Sequence, residues 1–254
     1  MFTSEERDRL RTHLLELAAK DERITGGAIT GSAAASREDQ WSDIDLAFGI
    51  RDAAELPNVL SDWTAHMYHQ HLALHHFDVR SGVWIYRVFL LSSTLQVDLA
   101  FVSSMEFREL APTFRLMFGE TNEPRHLPPP LPGDIIGLAW LFALHARSSI
   151  ARRNLWQAEY MISGIRDNAL ALACIRHGVS AVHGRGISSL PGEVAEQFEG
   201  SLVRQLDTAE LLRAFRAVVR PLLNEIRCVD EELAGRLQGT LMHLTEDSAL
   251  RSSD

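Results

Sequence analysis

Two aspartates at i and i+2, Asp43 and Asp45, head the apolar run Ile44, Leu46, Phe48 and Ile50. Side chains alternate along a strand, so both carboxylates project to one side while Ile44 and Leu46 face the other. Two like charges held that close repel each other, and a hard divalent cation with oxygen ligands is the natural compensation. Ten residues before Asp43 ends the pair Gly31-Ser32, a small-residue turn of the kind that wraps a phosphate. Glycine there admits a close backbone approach that a side chain would block. A third carboxylate, Asp98, lies inside a second apolar run at residues 95–101. Mg²⁺ with a nucleoside triphosphate is the commonest use of such a set, so the chemistry it suggests is phosphoryl or nucleotidyl transfer. Two ions about 3.5–4 Å apart serve that reaction, and a compact carboxylate group must bridge them.

Taken singly, these pieces are ordinary. Gly-Ser is a common loop pair, and an isolated Asp-x-Asp is more often a pair of solvated charges. Their order along the chain is what is rare. A strand at 26–30 leads into the turn, and a strand at 44–50 carries Asp45. Strands at 83–91 and 94–102, joined through Ser92-Ser93, bring in Asp98. Helices over 4–20 and 56–71, the second entered through Pro57, complete the half of the chain that ends near residue 120.

The texture then changes. Residues 123–133 hold five prolines, which cannot continue a helix or a central strand. Beyond them only helical periodicity is found. Ile135, Leu138, Leu141, Phe142 and His145 mark one helix, and Leu155, Ile162, Ile165, Ala169 and Leu172 mark a second that stops near His177-Gly178. Asp207-Thr208-Ala209-Glu210 opens a third, in which Pro221 should produce a kink or a break. A polar, frayed tail is expected after Leu244. The expected organisation is an α+β domain over 1–122 with a mixed sheet flanked by helices, a Pro-rich linker over 123–133 and an all-α bundle over 134–254.

Composition narrows the classes. The chain has 254 residues, 46% of them hydrophobic and 23% charged, as in an ordinary globular protein. A net charge of -9 argues against a dedicated nucleic-acid binder and suits a small cationic substrate. No run approaches the ~18 apolar residues of a membrane span, and residues 1–9 lack the apolar core of a signal peptide. Cys174 and Cys228 are too few for a disulfide scaffold. A reduced, cytoplasmic setting is the expectation.

The pattern Gly31-Ser32, Asp43-Ile44-Asp45, Asp98 resembles the DNA-polymerase-β-type nucleotidyltransferase superfamily. Asp21-Glu22-Arg23-Ile24 before the first strand and Asp39-Gln40-Trp41-Ser42 before the aspartate pair resemble antibiotic nucleotidyltransferases, especially the two-domain lincosamide and aminoglycoside enzymes. The resemblance implies Mg²⁺-dependent transfer of a nucleoside monophosphate, usually AMP from ATP, to a hydroxyl of a small molecule. It implies Asp43 and Asp45 as ligands of two Mg²⁺ ions, with Asp98 as a third ligand that also accepts the hydroxyl proton. Gly31 and Ser32 would then contact the triphosphate. The turn continues Ala33-Ala34-Ala35-Ser36 where relatives often carry a Lys or Arg, which leaves Arg37 as the substitute. The acceptor partner would be a small hydroxylated molecule, with no nucleic acid or membrane, and a homodimer is compatible with this reading. Rival readings are modification of a protein or tRNA end, and a catalytically silent nucleotide-binding module.

The helical half is expected to bind the acceptor. Glu159, Ser163 and Arg166 fall on one helical stripe, with Trp156 and Tyr160 beside it as walls for a ligand. The dense histidines His66, His69, His71, His75 and His76 show no familiar ligand spacing and are expected to be structural. Trp140 and His145 are expected in the core or an interface.

Overall fold

The computed structural model describes residues 1–126 and 128–246. The chain divides into two compact units, Met1–Leu127 and Pro128–Asp254. The fold is α+β, and no helix among the described residues is long and apolar enough to cross a membrane.

The first unit begins with α1 (Ser4–Lys20). A reciprocal cap starts this helix: Thr3 accepts from the Glu6 amide, and the Glu6 carboxylate accepts from the Thr3 amide. Six strands follow: β1 (Ile24–Thr30), β2 (Ile44–Ile50), β3 (Ala73–Ser81), β4 (Trp84–Leu91), β5 (Gln96–Ser103) and β6 (Phe114–Gly119). A single helical turn, α2 (Gly31–Ala34), follows β1, and α3 (Leu56–His71) follows β2. The strands lie in the order β3-β4-β5-β2-β1-β6. Among the described strands, only β2 and β5 form a parallel ladder. That pairing requires a crossover, which α3 and the β3–β4 hairpin provide.

The two faces of the sheet differ. On one, Leu14 and Ala18 of α1 and Val59, Trp63 and Met67 of α3 pack onto Ile44, Leu46, Phe48, Val97, Leu99 and Phe101. On the other, a smaller cluster of Ala28, Ala47, Ala100 and Val102 meets Trp84 and Phe107. Among the described residues, no long helix of this unit packs in that second cluster, which is on the face of Asp45 and Asp98.

Strands β3 and β6 escape the sequence reading. Both lie at the edges of the sheet, and neither carries a continuous buried row: Leu74, Phe77 and Val79 of β3 are all exposed. Without one buried face, the period-2 signal has no cause.

The second unit holds α4 (Pro132–Ala151), α5 (Leu155–Arg176), α6 (Gly192–Glu199), α7 (Thr208–Val229) and α8 (Glu231–Leu244). Of the Pro-rich stretch, Arg125 and His126 bond back to Glu109 of the first unit, while Pro132 and Gly133 already belong to α4. The buried face of α4 is Ile135, Ile136, Ala139, Ala143, Ala146 and Ile150, packed with Ala158, Ile162, Ile165 and Ala169 of α5. This corrects the expected face. Leu138, Leu141, Trp140 and His145 are exposed, because small alanines let α4 and α5 approach closely and turn the larger side chains outward. Pro221 does not split α7, which runs through it as one helix. From residue 247 onward, the expected tail lies outside the described residues.

Phe48 is fully buried between Trp63 and Phe101, at ring-centre distances of 5.1 and 5.6 Å. Phe48→Ala should lower stability by about 3–5 kcal/mol, read as a reduced urea midpoint with an unchanged slope.

Candidate active site

The parallel register of β2 and β5 sets Asp45 directly opposite Asp98. Asp43 immediately precedes β2, and the structure brings all three carboxylates together. One oxygen from each of Asp43, Asp45 and Asp98 lies within 4.8 Å of the other two. All three residues are partly buried. Ile44, Leu46, Val97 and Leu99 alternate with them into the helix-covered core, which prevents either strand from slipping by one residue.

Gln96 stands two residues before Asp98 on the same strand face, and its side-chain amide donates to Asp98 Oδ1 at 3.0 Å and to Asp43 Oδ2 at 3.3 Å. Burial pushes the Asp98 carboxyl up to about 6. The Gln96 hydrogen bond opposes that shift, and the nearby Asp43 charge adds to it. Oxygen donors this close, one of them made costly to ionise, fit a hard divalent ion such as Mg²⁺, which binds oxygen at about 2.0–2.1 Å. Gln96 is the site residue that the sequence reading left without a role, although its i−2 position relative to Asp98 was in plain view.

Gly31 closes the site from the β1 side. Its φ of +65° lies in the left-handed region, and a Cβ built there would run into the Asp45 carboxylate. Glycine is therefore required twice, by conformation and by space. Ser32 follows on α2, and its carbonyl accepts from the Arg37 amide at 2.9 Å. Arg37 itself is exposed.

The loop from Ala35 to Ser42 is tied to α1. Arg7, buried on that helix, donates to the carbonyls of Asp39 at 2.5 Å and Ser42 at 3.4 Å, and its Nε lies 3.3 Å from the Glu38 carboxylate. Arg11 also pairs with Glu38. Within the loop, Asp39 accepts from the Trp41 amide and the Ser42 hydroxyl. These ties fix the approach to Asp43. The sequence signal was an i, i+4 pair of arginines on α1, which reads equally well as a solvated face.

In the helical unit, Glu159, Ser163 and Arg166 do share a stripe of α5. Ser163 donates to Glu159 at 2.6 Å, and Arg166 donates to Ser163 at 2.8 Å and to the Ser201 carbonyl at 3.3 Å. Trp156 and Tyr160 are 78% and 66% exposed. A cavity of about 400 Å³ in this unit is lined instead by Asp167, Ala171, Cys174, His183 and their neighbours.

No protein-family model matches the chain, and no curated protein matches it. Among solved structures, it is similar to an aminoglycoside 6-adenyltransferase from Bacillus subtilis, at a TM-score of 0.42 and 13% identity, over 96% of this chain and 99% of that one.

Two outcomes are expected of this geometry. Gly31→Ala should lower folding stability by about 1–2 kcal/mol, the cost of a non-glycine residue at this φ before any clash with Asp45. A reduced urea midpoint would measure it. The second concerns Asp98, whose carboxyl is easier to protonate in the folded state. Its contribution to stability is complete below about pH 4 and is lost as pH rises through about 6. In metal-free protein, Asp98→Asn should therefore be more stable than wild type above pH 6, by about 1–2 kcal/mol after allowance for solvent screening. The difference should vanish toward pH 4 in urea titrations.

Proposed function

We propose that the chain is a Mg²⁺-dependent nucleotidyltransferase that moves a nucleoside monophosphate, AMP from ATP in the first instance, to a hydroxyl of a small molecule. The observation that carries this reading is the convergence of Asp43, Asp45 and Asp98 on one sheet face, with the Gly31 turn against Asp45. Such a carboxylate set is costly unless it serves a cation, and a phosphate-sized turn beside it gives that cation a polyanionic co-ligand.

Asp43 and Asp45 would hold the metal ions, and Asp98 would contribute a further oxygen. When bound, Mg²⁺ supplies charge neutralisation at the transferring phosphoryl group and at the leaving pyrophosphate. Ser32 and the backbone amides of its turn would contact the triphosphate, with Arg37 as the nearby cation. Asp98 would also accept the acceptor hydroxyl's proton as the general base. Gln96 would hold Asp98 in position without itself carrying a charge. Acceptor recognition is assigned to the helical unit, with Glu159 and Arg166 as its polar groups and Trp156 and Tyr160 as its aromatic ones. A small hydroxylated antibiotic of the aminoglycoside or lincosamide type, the former cationic, is the class to try first against a chain of net charge -9.

The test is pyrophosphate release from ATP and Mg²⁺ across a panel of such acceptors. Wild type should turn over at least one of them. Asp43→Asn and Asp45→Asn should each lower kcat by about 10³-fold or more while leaving circular dichroism unchanged. Normal AMP transfer by either variant would remove the carboxylates from the mechanism. Labelling of protein in a lysate by labelled ATP, with no small-molecule product, would move the acceptor to a macromolecule. Glu159→Gln should raise KM for the acceptor and leave that for ATP unchanged.

A further inference from the structure

On the helix-covered side of the sheet, three histidines from two helices meet. His66 and His71 come from α3 and His13 comes from α1, and one ring nitrogen of each lies within 4.8 Å of the other two. The Nε2 atoms of His66 and His71 are 3.1 Å apart. Ring centres are separated by 4.9 Å for His66–His71, 5.5 Å for His13–His71 and 5.9 Å for His13–His66. Three imidazoles around a tetrahedral ion with metal–nitrogen bonds of about 2.0–2.1 Å place their nitrogens roughly 3.3 Å apart and their ring centres roughly 5 Å apart. The His66–His71 pair already meets both measures. His13 is exposed and its ring stands slightly farther out.

We infer that His13, His66 and His71 form a site for a divalent first-row transition ion of the zinc class, which ties α1 to α3. The donor set selects the ion: three imidazole nitrogens suit Zn²⁺ and its neighbours rather than Mg²⁺ or Ca²⁺. The nearby carboxylate, Asp62, one turn before His66, is engaged by Arg23 at 2.8 Å, which leaves water for the fourth position. The site lies across the sheet from Asp43, Asp45 and Asp98, so its role is structural. It fastens the helix whose Arg7 and Arg11 hold the loop leading to Asp43. The sequence hid it because His13 is distant from the other two, and the cluster within 66–76 holds only part of the set.

Full-length, chelator-treated protein should bind one equivalent of Co²⁺ in excess Mg²⁺, with the intense visible absorption of a four-coordinate, nitrogen-ligated ion. Zn²⁺ should displace it and raise the melting midpoint by several degrees. His66→Gln and His71→Gln should abolish both effects, whereas Asp43→Asn should retain them. His13→Gln, at an exposed position, carries the same expectation and keeps the test decisive if the α3 variants fold poorly. Absence of the four-coordinate spectrum in wild type, or its persistence in His13→Gln, would overturn the assignment. The His66–His71 contact would then be a hydrogen bond between two neutral rings.

Discussion

The parallel pairing of β2 with β5 is the constraint on which the site depends. It is the sole parallel ladder among the described strands, and its register sets Asp45 level with Asp98. Antiparallel neighbours could be joined by a short hairpin, but a parallel pair needs a long crossover. Here α3 and the β3–β4 hairpin supply that crossover, and α3 in turn buries Val59, Trp63 and Met67 against the back of the same two strands. The apolar face that fixes the register and the polar face that carries the carboxylates are therefore two sides of one decision about strand phase.

The cost of this arrangement is concentrated at Asp98. Its partners on the sheet are Asp45 across β2 and Val88 across β4, so the strands themselves bring it a like charge and an apolar neighbour. Gln96 offsets part of the cost by donating to two of the three carboxylates at once. A neutral amide does this without cancelling the negative potential that a cation would use, as a lysine in its place would.

Much of this was legible in the sequence. Strands β2 and β5 announce themselves because one face of each is a continuous apolar row, and β1 because it ends at Gly31. The Gly31 turn and the three aspartates could be read because strand alternation is a local rule. What could not be read depends on contacts between distant segments, or on their absence. The edge strands β3 and β6 bury too little to imprint a period. The buried face of α4 departs from its leucine pattern, because leucine outweighs alanine on any hydrophobicity scale, yet close helix packing favours alanine. Arg7 and His13 took their meaning from residues more than thirty and fifty positions away.

Arg7 grips the loop before Asp43 by two main-chain carbonyls, those of Asp39 and Ser42, and the side chains that bond within the loop are those of Asp39 and Ser42, with the Trp41 main-chain amide as a donor. The side chains of Gln40 and Trp41 take no part in this grip, and both project outward. The tip is thus mechanically separate from its own anchorage. Gln40 and Trp41 can be exchanged for other residues, proline at 41 excepted, while the carboxylates stay where they are, so this short stretch can vary in sequence without disturbing the acidic cluster it precedes.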